Sequence, residues 1–508
     1  MPIMTPPATG VKVRMYRQGH GDCFLLAFPK AGTVDEAFYM LIDCGLKSNS
    51  EVHHSLDEII TDLEEATNNF IDLVVVTHEH EDHVNGFWRG ANSIPFENIN
   101  IGKLWLAWTE DPDDDVANEL RDRFQDTLLG LLNTTDRLKA SGHAGDEALG
   151  DRILEFLEFE MDGSIDDTRA FALSGERNKR AMQYLRQKAQ EGIEFLEPHE
   201  DIYTIPEVAG VNFYVLGPPK DSRLLLSKNP RSSEEFTTDF ALDFSSRSFF
   251  SALGEGQFED DYQTLQPFAP RYRKAATRIL DGDTTLKAKG EERCLAYETY
   301  TDTAEDWRRI DNDWLYTAEL LALRLNKEVN NTSLVLAIEL VGTGRVLLFT
   351  GDAQRGNWVS WDDGTWTDQA GKEITAKELL GRTVLYKVGH HGSHNATLNG
   401  TEDSDYANLD WMARGAYKNQ FVAMIPANKE WAYGKSRPWK HPLKSIEDAL
   451  LRKAKGRVFI TNVDNIERPA TATDAEWQAF QNRIEETSLY FDYEIPNETQ
   501  PAPDNPCD

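Results

Sequence analysis

The chain has 508 residues, enough to bury a large core and more than a minimal domain requires. With 27% charged and 40% hydrophobic residues, its composition is that of a globular protein and excludes a disordered one. Lys plus Arg (53) against Asp plus Glu (86) leaves a formal charge of −33, which repels phosphate backbones and argues against a broad basic nucleic-acid surface.

No apolar run reaches the roughly 20 residues of a membrane helix, so no membrane partner is expected. The N-terminus MPIMTPPATG lacks the basic and apolar regions of a signal peptide, and the expected location is the cytoplasm. Four cysteines, Cys23, Cys44, Cys294 and Cys507, are too scattered for a disulfide framework. Cys23 and Cys44 lie in apolar segments and read as buried free thiols.

In chain order, Val11 to Tyr16, Cys23 to Phe28 and Tyr39 to Ile42 read as short strands separated by Gly-rich or polar breaks. Leu56 to Thr67 has helical spacing, with Leu56, Ile59, Ile60 and Leu63 on one face. Asp72 to Thr77 is a strand with an apolar centre, expected to be buried on both sides, and Leu104 to Trp108 another. From Glu110 onward charged, helix-favouring stretches dominate: Val116 to Leu138, Gly175 to Glu197 and Ala304 to Leu325. One strand-like island interrupts them at Val211 to Pro219, and weakly periodic, aromatic-dotted sequence fills Asp221 to Arg293. Strand character returns at Ser333 to Leu340, Arg345 to Thr350, Thr383 to Val388, Phe421 to Pro426 and Arg457 to Asn462. Helical segments, Ala376 to Leu380 and Leu443 to Lys453, sit between them. The expected organisation is an α/β scaffold whose first half is 1–110 and second half 326–465. Residues 111–325 form a mainly helical acidic insertion that lends one strand near 211–219, and 466–508 a C-terminal helix and polar tail.

The chemistry concentrates in T-H-E-H-E-D-H, Thr77 to His83. A buried strand ends at Thr77 and delivers His78 and His80, with Asp82 and His83 following at once. Three imidazoles and a carboxylate within six residues make a nitrogen and oxygen donor set suited to zinc or a similar borderline ion. Such an ion lowers the pKa of a bound water and turns it into a nucleophile near neutral pH. The competing reading, a solvated acidic loop that happens to hold histidines, sits poorly with a motif placed directly after a buried strand.

THEHEDHVNG resembles the signature of the metallo-β-lactamase superfamily, and four further segments match in order. They are GHGDCFLLAF, MLIDCG (Met40 to Gly45), LLFTGDA (Leu347 to Ala353) and VGHHGSHNAT (Val388 to Thr397). The variants Gly-His-Gly-Asp, Thr-Gly-Asp-Ala and His-His-Gly-Ser are most similar to the branch that contains the hydrolase domain of the competence protein ComEC. The match covers residues 10 to 110 and about 326 to 465; the insertion has no counterpart. The resemblance implies an αββα sandwich with two metal ions, zinc or alternatively manganese, at one edge of its two sheets. It assigns His78 and His80 to one ion, Asp82 and His83 to the second, and Asp352 as the carboxylate bridging both. His390 would complete the second site, with His391 its close rival. Asp43, together with His20 and Asp22, is expected to orient ligands through hydrogen bonds. The stretch Asn330 to Leu336, where many members supply a further His, has none; water, His199 or His394 could fill that position, or only one ion binds tightly.

Asp82, His83 and Ser393 are the candidates for the chemical step. Lys387, Lys435, Arg437 and His441 are candidates for substrate contact, since positive groups beside a metal pair stabilise charge on a reacting oxygen. Lys387 reads more readily as a solvated edge residue, and His441 equally as a cap of the following helix. His53, His54 and His143 read as surface residues. Most of the 12 tryptophans read as core, Trp358, Trp361 and Trp366 packing a loop. The function expected from these features is metal-dependent hydrolysis of a phosphodiester. Ester, lactone or amide hydrolysis is the first alternative, because the donor set serves carbonyl and phosphoryl centres alike. A metal-stabilised scaffold that binds a protein partner through the acidic insertion is the second.

Overall fold

The computed structural model describes residues 3–90, 94–122, 176–199, 201–225, 230–231, 233–236, 329–368, 370–434, 439–470 and 472–498, with isolated positions between 131 and 153. The helix expected at Ala304 to Leu325, most of the one at Val116 to Leu138, and Cys294, Cys507, His143, Lys435 and Arg437 lie outside these residues.

The chain builds two large mixed sheets. The first contains β1 (Val11–Tyr16), β2 (Cys23–Pro29), β3 (Ala37–Cys44), β4 (Phe70–Val75), β5 (Asn100–Ala107) and β6 (Ala189–Leu196). The second contains β7 (Val211–Gly217), β8 (Val335–Leu340), β9 (Arg345–Phe349), β12 (Thr383–Lys387), β13 (Val422–Ile425) and β14 (Val458–Ile460). A small hairpin pairs β10 (Thr365–Thr367) with β11 (Glu373–Thr375), and β15 (Ile484–Glu486) and β16 (Tyr490–Ile495) return to the first sheet. Its order is β15-β16-β1-β2-β3-β4-β5-β6; that of the second is β14-β13-β12-β9-β8-β7. The architecture is mixed α/β.

Both faces of these sheets are covered, which explains their near-continuous apolar strands. Leu26, Met40, Ile42, Leu73 and Val75 of the first sheet share one core with Leu336, Ile338, Leu347, Phe349 and Met424 of the second. On the far face of the first sheet, Leu41 and Val74 pack on Ile59, Ile60 and Leu63 of α1 (Leu56–Ala66) and on Met182 and Leu185 of α2 (Glu176–Lys188). On the far face of the second, Leu348, Tyr386 and Ile425 meet Trp358, Trp361, Leu379, Ile446 and Leu450. Ser55 caps α1 in a reciprocal capping box with Glu58, as the Ser-x-x-Glu spacing dictates.

Two elements differ from the sequence reading. Gly175 to Glu197 is a helix only to Lys188; Ala189–Leu196 then pairs in parallel with β5 as an edge strand. Its exposed, charged residues favour a helix locally, but the open edge of β5 offers a full ladder of backbone hydrogen bonds. The segment after residue 466 holds the expected helix at Asp474–Gln481, but two strands follow it, and β16 pairs antiparallel with β1. Arg14 on β1 clamps Asp492 on β16 (2.7 and 2.8 Å) and Asp62 of α1 (2.7 Å), so a long-range ion network draws this segment into the scaffold. Among the described residues, no helix is long and apolar enough to cross a membrane.

Candidate metal centre

Parallel pairing decides where the chemistry collects. β3 and β4 run parallel in one sheet, β9 and β12 in the other, so the loops after their C-terminal ends open on a common edge. Asp43 closes β3, Thr77 to His83 follow β4, Asp352 follows β9, and His390 and His391 follow β12. Asp22 joins them because β2, which it precedes, is antiparallel to β3.

Close approach of backbone makes two glycines obligatory. A Cβ on Gly45 would lie 2.2 Å from the backbone carbon of Asp82 and 2.3 Å from the nitrogen of His83. Gly351 has φ +50°, and its Cβ would sit 2.8 Å from that of Thr77. Gly45→Ala is therefore expected to push away the helical turn Glu81–Val84 that carries Asp82 and His83. Thermal denaturation should show a loss of roughly 1–3 kcal/mol, the usual scale of overpacking.

Asp82, His83, Asp352 and His391 are all buried, and one donor atom from each lies within 4.8 Å of all the others. Hydrogen-bond partners fix which nitrogen of each ring carries a proton. His391 Nδ1 is 2.8 Å from the Pro426 carbonyl oxygen, which only accepts, so Nδ1 holds the proton. Its Nε2 is thereby directed at Asp82 Oδ2, 2.8 Å away. His83 Nδ1 donates to Asp43 Oδ2 at 2.8 Å, and its Nε2 faces Asp352 Oδ2 at 3.4 Å. His78 Nδ1 lies 3.1 Å from Thr77 Oγ1 and 3.3 Å from Ser333 Oγ. Both hydroxyls already donate elsewhere, to Asp43 and to the Asn330 carbonyl. His78 Nδ1 must donate in turn, and its Nε2 lone pair points at His80 Nδ1, 3.1 Å away.

The electrostatics follow the same division. Burial opposes the charge on Asp82, but Lys47 and the bond with His391 hold its carboxyl well below the ordinary range. Burial likewise opposes charge on His83, yet Asp352, Asp22 and Asp43 raise its pKa well above that of a free imidazole. Burial, reinforced by His83 and His80, drives His78 well below its ordinary value, and burial takes His390 down to about 3. The contribution of charged His83 to metal-free stability is fully present below the unfolded value of about 6.5 and is lost as pH rises through the raised folded value. Metal-free His83→Gln should therefore fall short of the parent most at about pH 6 and least at about pH 9, as urea titrations would read.

Of the tandem histidines, His391 is the one brought to Asp82, whereas His390, its Nε2 3.9 Å from Asp352 Oδ2, stays outside the four-donor group. Its backbone N–H donates to Asp352 Oδ1 (3.0 Å), its Nδ1 meets Ser393 Oγ (2.7 Å) and its Nε2 meets Asn330 Nδ2 (3.3 Å). Both residues have left-handed backbones, φ 44° and 53°, and this fans the two rings apart. His78 and His80 form a two-nitrogen pair beside His83, their rings 4.7 Å apart, outside the four-donor group.

Asp43 takes the orienting position expected of it, accepting from Thr77 N, Thr77 Oγ1 and His83 Nδ1. Asp22, Asp43 and His83 form a second close trio, but its His83 nitrogen already serves Asp43. Lys387 corrects the sequence reading. It is buried, ion-paired with Asp22, 3.6 Å from Asp352 and bonded to the Gly351 carbonyl, so it is not a solvated edge residue, and its ammonium is engaged by internal partners. The alternating pattern of a central strand turned it inward, where two carboxylates neutralise it. Burial raises the Asp22 carboxyl to about 6 against the pull of Lys387.

Ser393 is buried on His390 and Asn395. His20 stacks on His391 (4.1 Å between centroids) and His441 (5.4 Å), so both line the cluster. His199 packs against Trp366 in the outer layer instead, and His394 is exposed. His54 contacts Glu58 and Ser488, and His53 is paired with Asp464. Lys47 was not legible beforehand: its ammonium is buried 3.3 Å from Asp82, yet nothing adjacent in the chain marks it. Ser333 and Asn330 carried only the negative signal of a missing histidine. Comparison of the chain with protein-family models gives no match, and comparison with curated proteins gives none.

Proposed function

We propose that the protein is a metal-dependent hydrolase of the metallo-β-lactamase fold, similar to the ComEC-like branch, acting on a phosphodiester. The observation that carries this reading is the buried four-donor group drawn from three separate loops: Asp82, His83, Asp352 and His391 each bring one donor atom within 4.8 Å of all the others. The nitrogen and oxygen donors fit zinc, with manganese the alternative. Asp82, His83, Asp352 and His391 would hold one ion, and His78 and His80 offer two nitrogens towards a second. A divalent ion there supplies a Lewis acid that activates water and polarises a substrate oxygen.

The chain's own residues do the positioning. Asp43 and the Pro426 carbonyl lock His83 and His391 with Nε2 towards the centre, and Lys47 keeps Asp82 ionised. Ser393 and Asn330 grip the His390 ring, whose side chain is 12% exposed and so stands at the rim of the cluster. Internal use of Lys387 removes one cation from a phosphate and favours the second reading, hydrolysis of an ester, lactone or amide.

Metal content by mass spectrometry, with assays of bis-p-nitrophenyl phosphate beside an ester and a lactam, separates these readings. The first reading expects bound metal and phosphodiester turnover that disappears in Asp82→Ala and His391→Ala. Carbonyl turnover alone would replace it with the second. Protein that neither binds metal nor turns over any substrate would overturn both.

A further inference from the structure

We propose that Trp439, Trp431 and His441 form a stacking subsite beside the metal centre for a planar aromatic group on the non-leaving side of the substrate's scissile bond. The inference rests on the hydrolase reading and extends it to substrate class. An unbroken run of rings leads outward from the metal-facing His391. His20 lies 4.1 Å from His391 between centroids, His441 5.4 Å from His20 and nearly coplanar with it (9°), and Trp431 5.0 Å from His20. Trp439 completes the wall, 4.8 Å from Trp431 and 6.1 Å from His441. The inner rings are buried, whereas Trp431, Trp439 and His441 are half-buried and so still present surface.

Hydrogen bonds anchor the described residues of this wall. Asn428 Oδ1 accepts from Trp431 N (3.0 Å), and its Nδ2 donates to the Ser50 carbonyl (2.9 Å). Ser50 Oγ in turn accepts from His20 N (3.0 Å). Trp439 N donates to the Ala432 carbonyl (3.1 Å), and Tyr433 OH to the Pro442 carbonyl (3.0 Å). A preorganised aromatic face loses little entropy on binding, and stacking selects for a planar π-system whatever its hydrogen-bonding edge. The −33 charge disfavours a long polyanion, so recognition of one ring next to a single scissile bond suits this chain better than a backbone-tracking groove.

The test uses two diesters with the same leaving group, bis-p-nitrophenyl phosphate and methyl p-nitrophenyl phosphate, on the zinc-loaded full chain. Trp439→Ala should lower kcat/KM for the bis-aryl ester about tenfold, mainly through KM, and change the methyl ester by less than about twofold. Trp439→Phe, which keeps a ring face, should restore the difference. An equal loss on both esters, or none on either, overturns the subsite. Calorimetric titration with phenylphosphonate and methylphosphonate supplies a readout without turnover: the phenyl compound should bind about tenfold more tightly, and Trp439→Ala should erase that advantage. Turnover of both diesters with no phenyl advantage removes the subsite and leaves the hydrolase standing. A Trp439-dependent phenyl advantage without any turnover removes the hydrolase reading and leaves the subsite.

Discussion

On the metal-dependent hydrolase reading, Asp352→Ala is expected to lower kcat/KM by roughly three orders of magnitude or more and to abolish metal binding by the four-donor group. Its carboxylate does three things at once. Oδ2 faces Nε2 of His83, Oδ1 accepts the backbone N–H of His390, and the group lies 3.6 Å from the Lys387 ammonium. Asp352→Asn isolates the charge, because the amide oxygen can still accept from His390 while offering no carboxylate to an ion. Both variants should retain the fold by circular dichroism. Bound metal, measured by mass spectrometry after dialysis, should fall in both. Full metal occupancy in Asp352→Ala would remove this residue from the centre.

Asp43→Ala should produce the largest loss of stability in the site. The carboxylate is fully buried and accepts from Thr77 N (2.8 Å), Thr77 Oγ1 (2.7 Å) and His83 Nδ1 (2.8 Å). Truncation leaves three buried donors without an acceptor, and a cost of about 3–5 kcal/mol is expected by urea denaturation. Because His83 would lose the partner that fixes its tautomer, metal affinity should also fall by about 10–100-fold. Asp43 has φ 56°, a conformation asparagine tolerates well, so Asp43→Asn separates backbone strain from charge. Asp43→Asn should keep the bond from Thr77 N and much of the stability, yet still lose metal affinity. An unchanged affinity in both variants would show that Asp43 does not orient His83.

Much of the site was legible because its parts are contiguous in the chain. His78, His80, Asp82 and His83 fall within six residues after an apolar strand, and Asp352 and His391 each follow an apolar strand of their own. The strands themselves were legible because sheets covered on both faces demand unbroken apolar runs. Edge strands lack that demand, which is why β6, with its exposed charged residues, reads as helix.

The sequence by itself thus determined the donor types, their spacing and the α/β character, since local chemistry and periodicity encode all three. Only the tertiary structure decided which donors converge. The choice of His391 over His390 rests on two left-handed backbone angles and on the Pro426 carbonyl, 35 positions away in the chain. The inward turn of Lys387 rests on Asp22 and Asp352, and the placing of Lys47 on Asp82. Each is a contact between buried groups that lie far apart in the chain. Nothing in a local stretch of residues records it, because the energy that enforces it arises only when packing has removed the water.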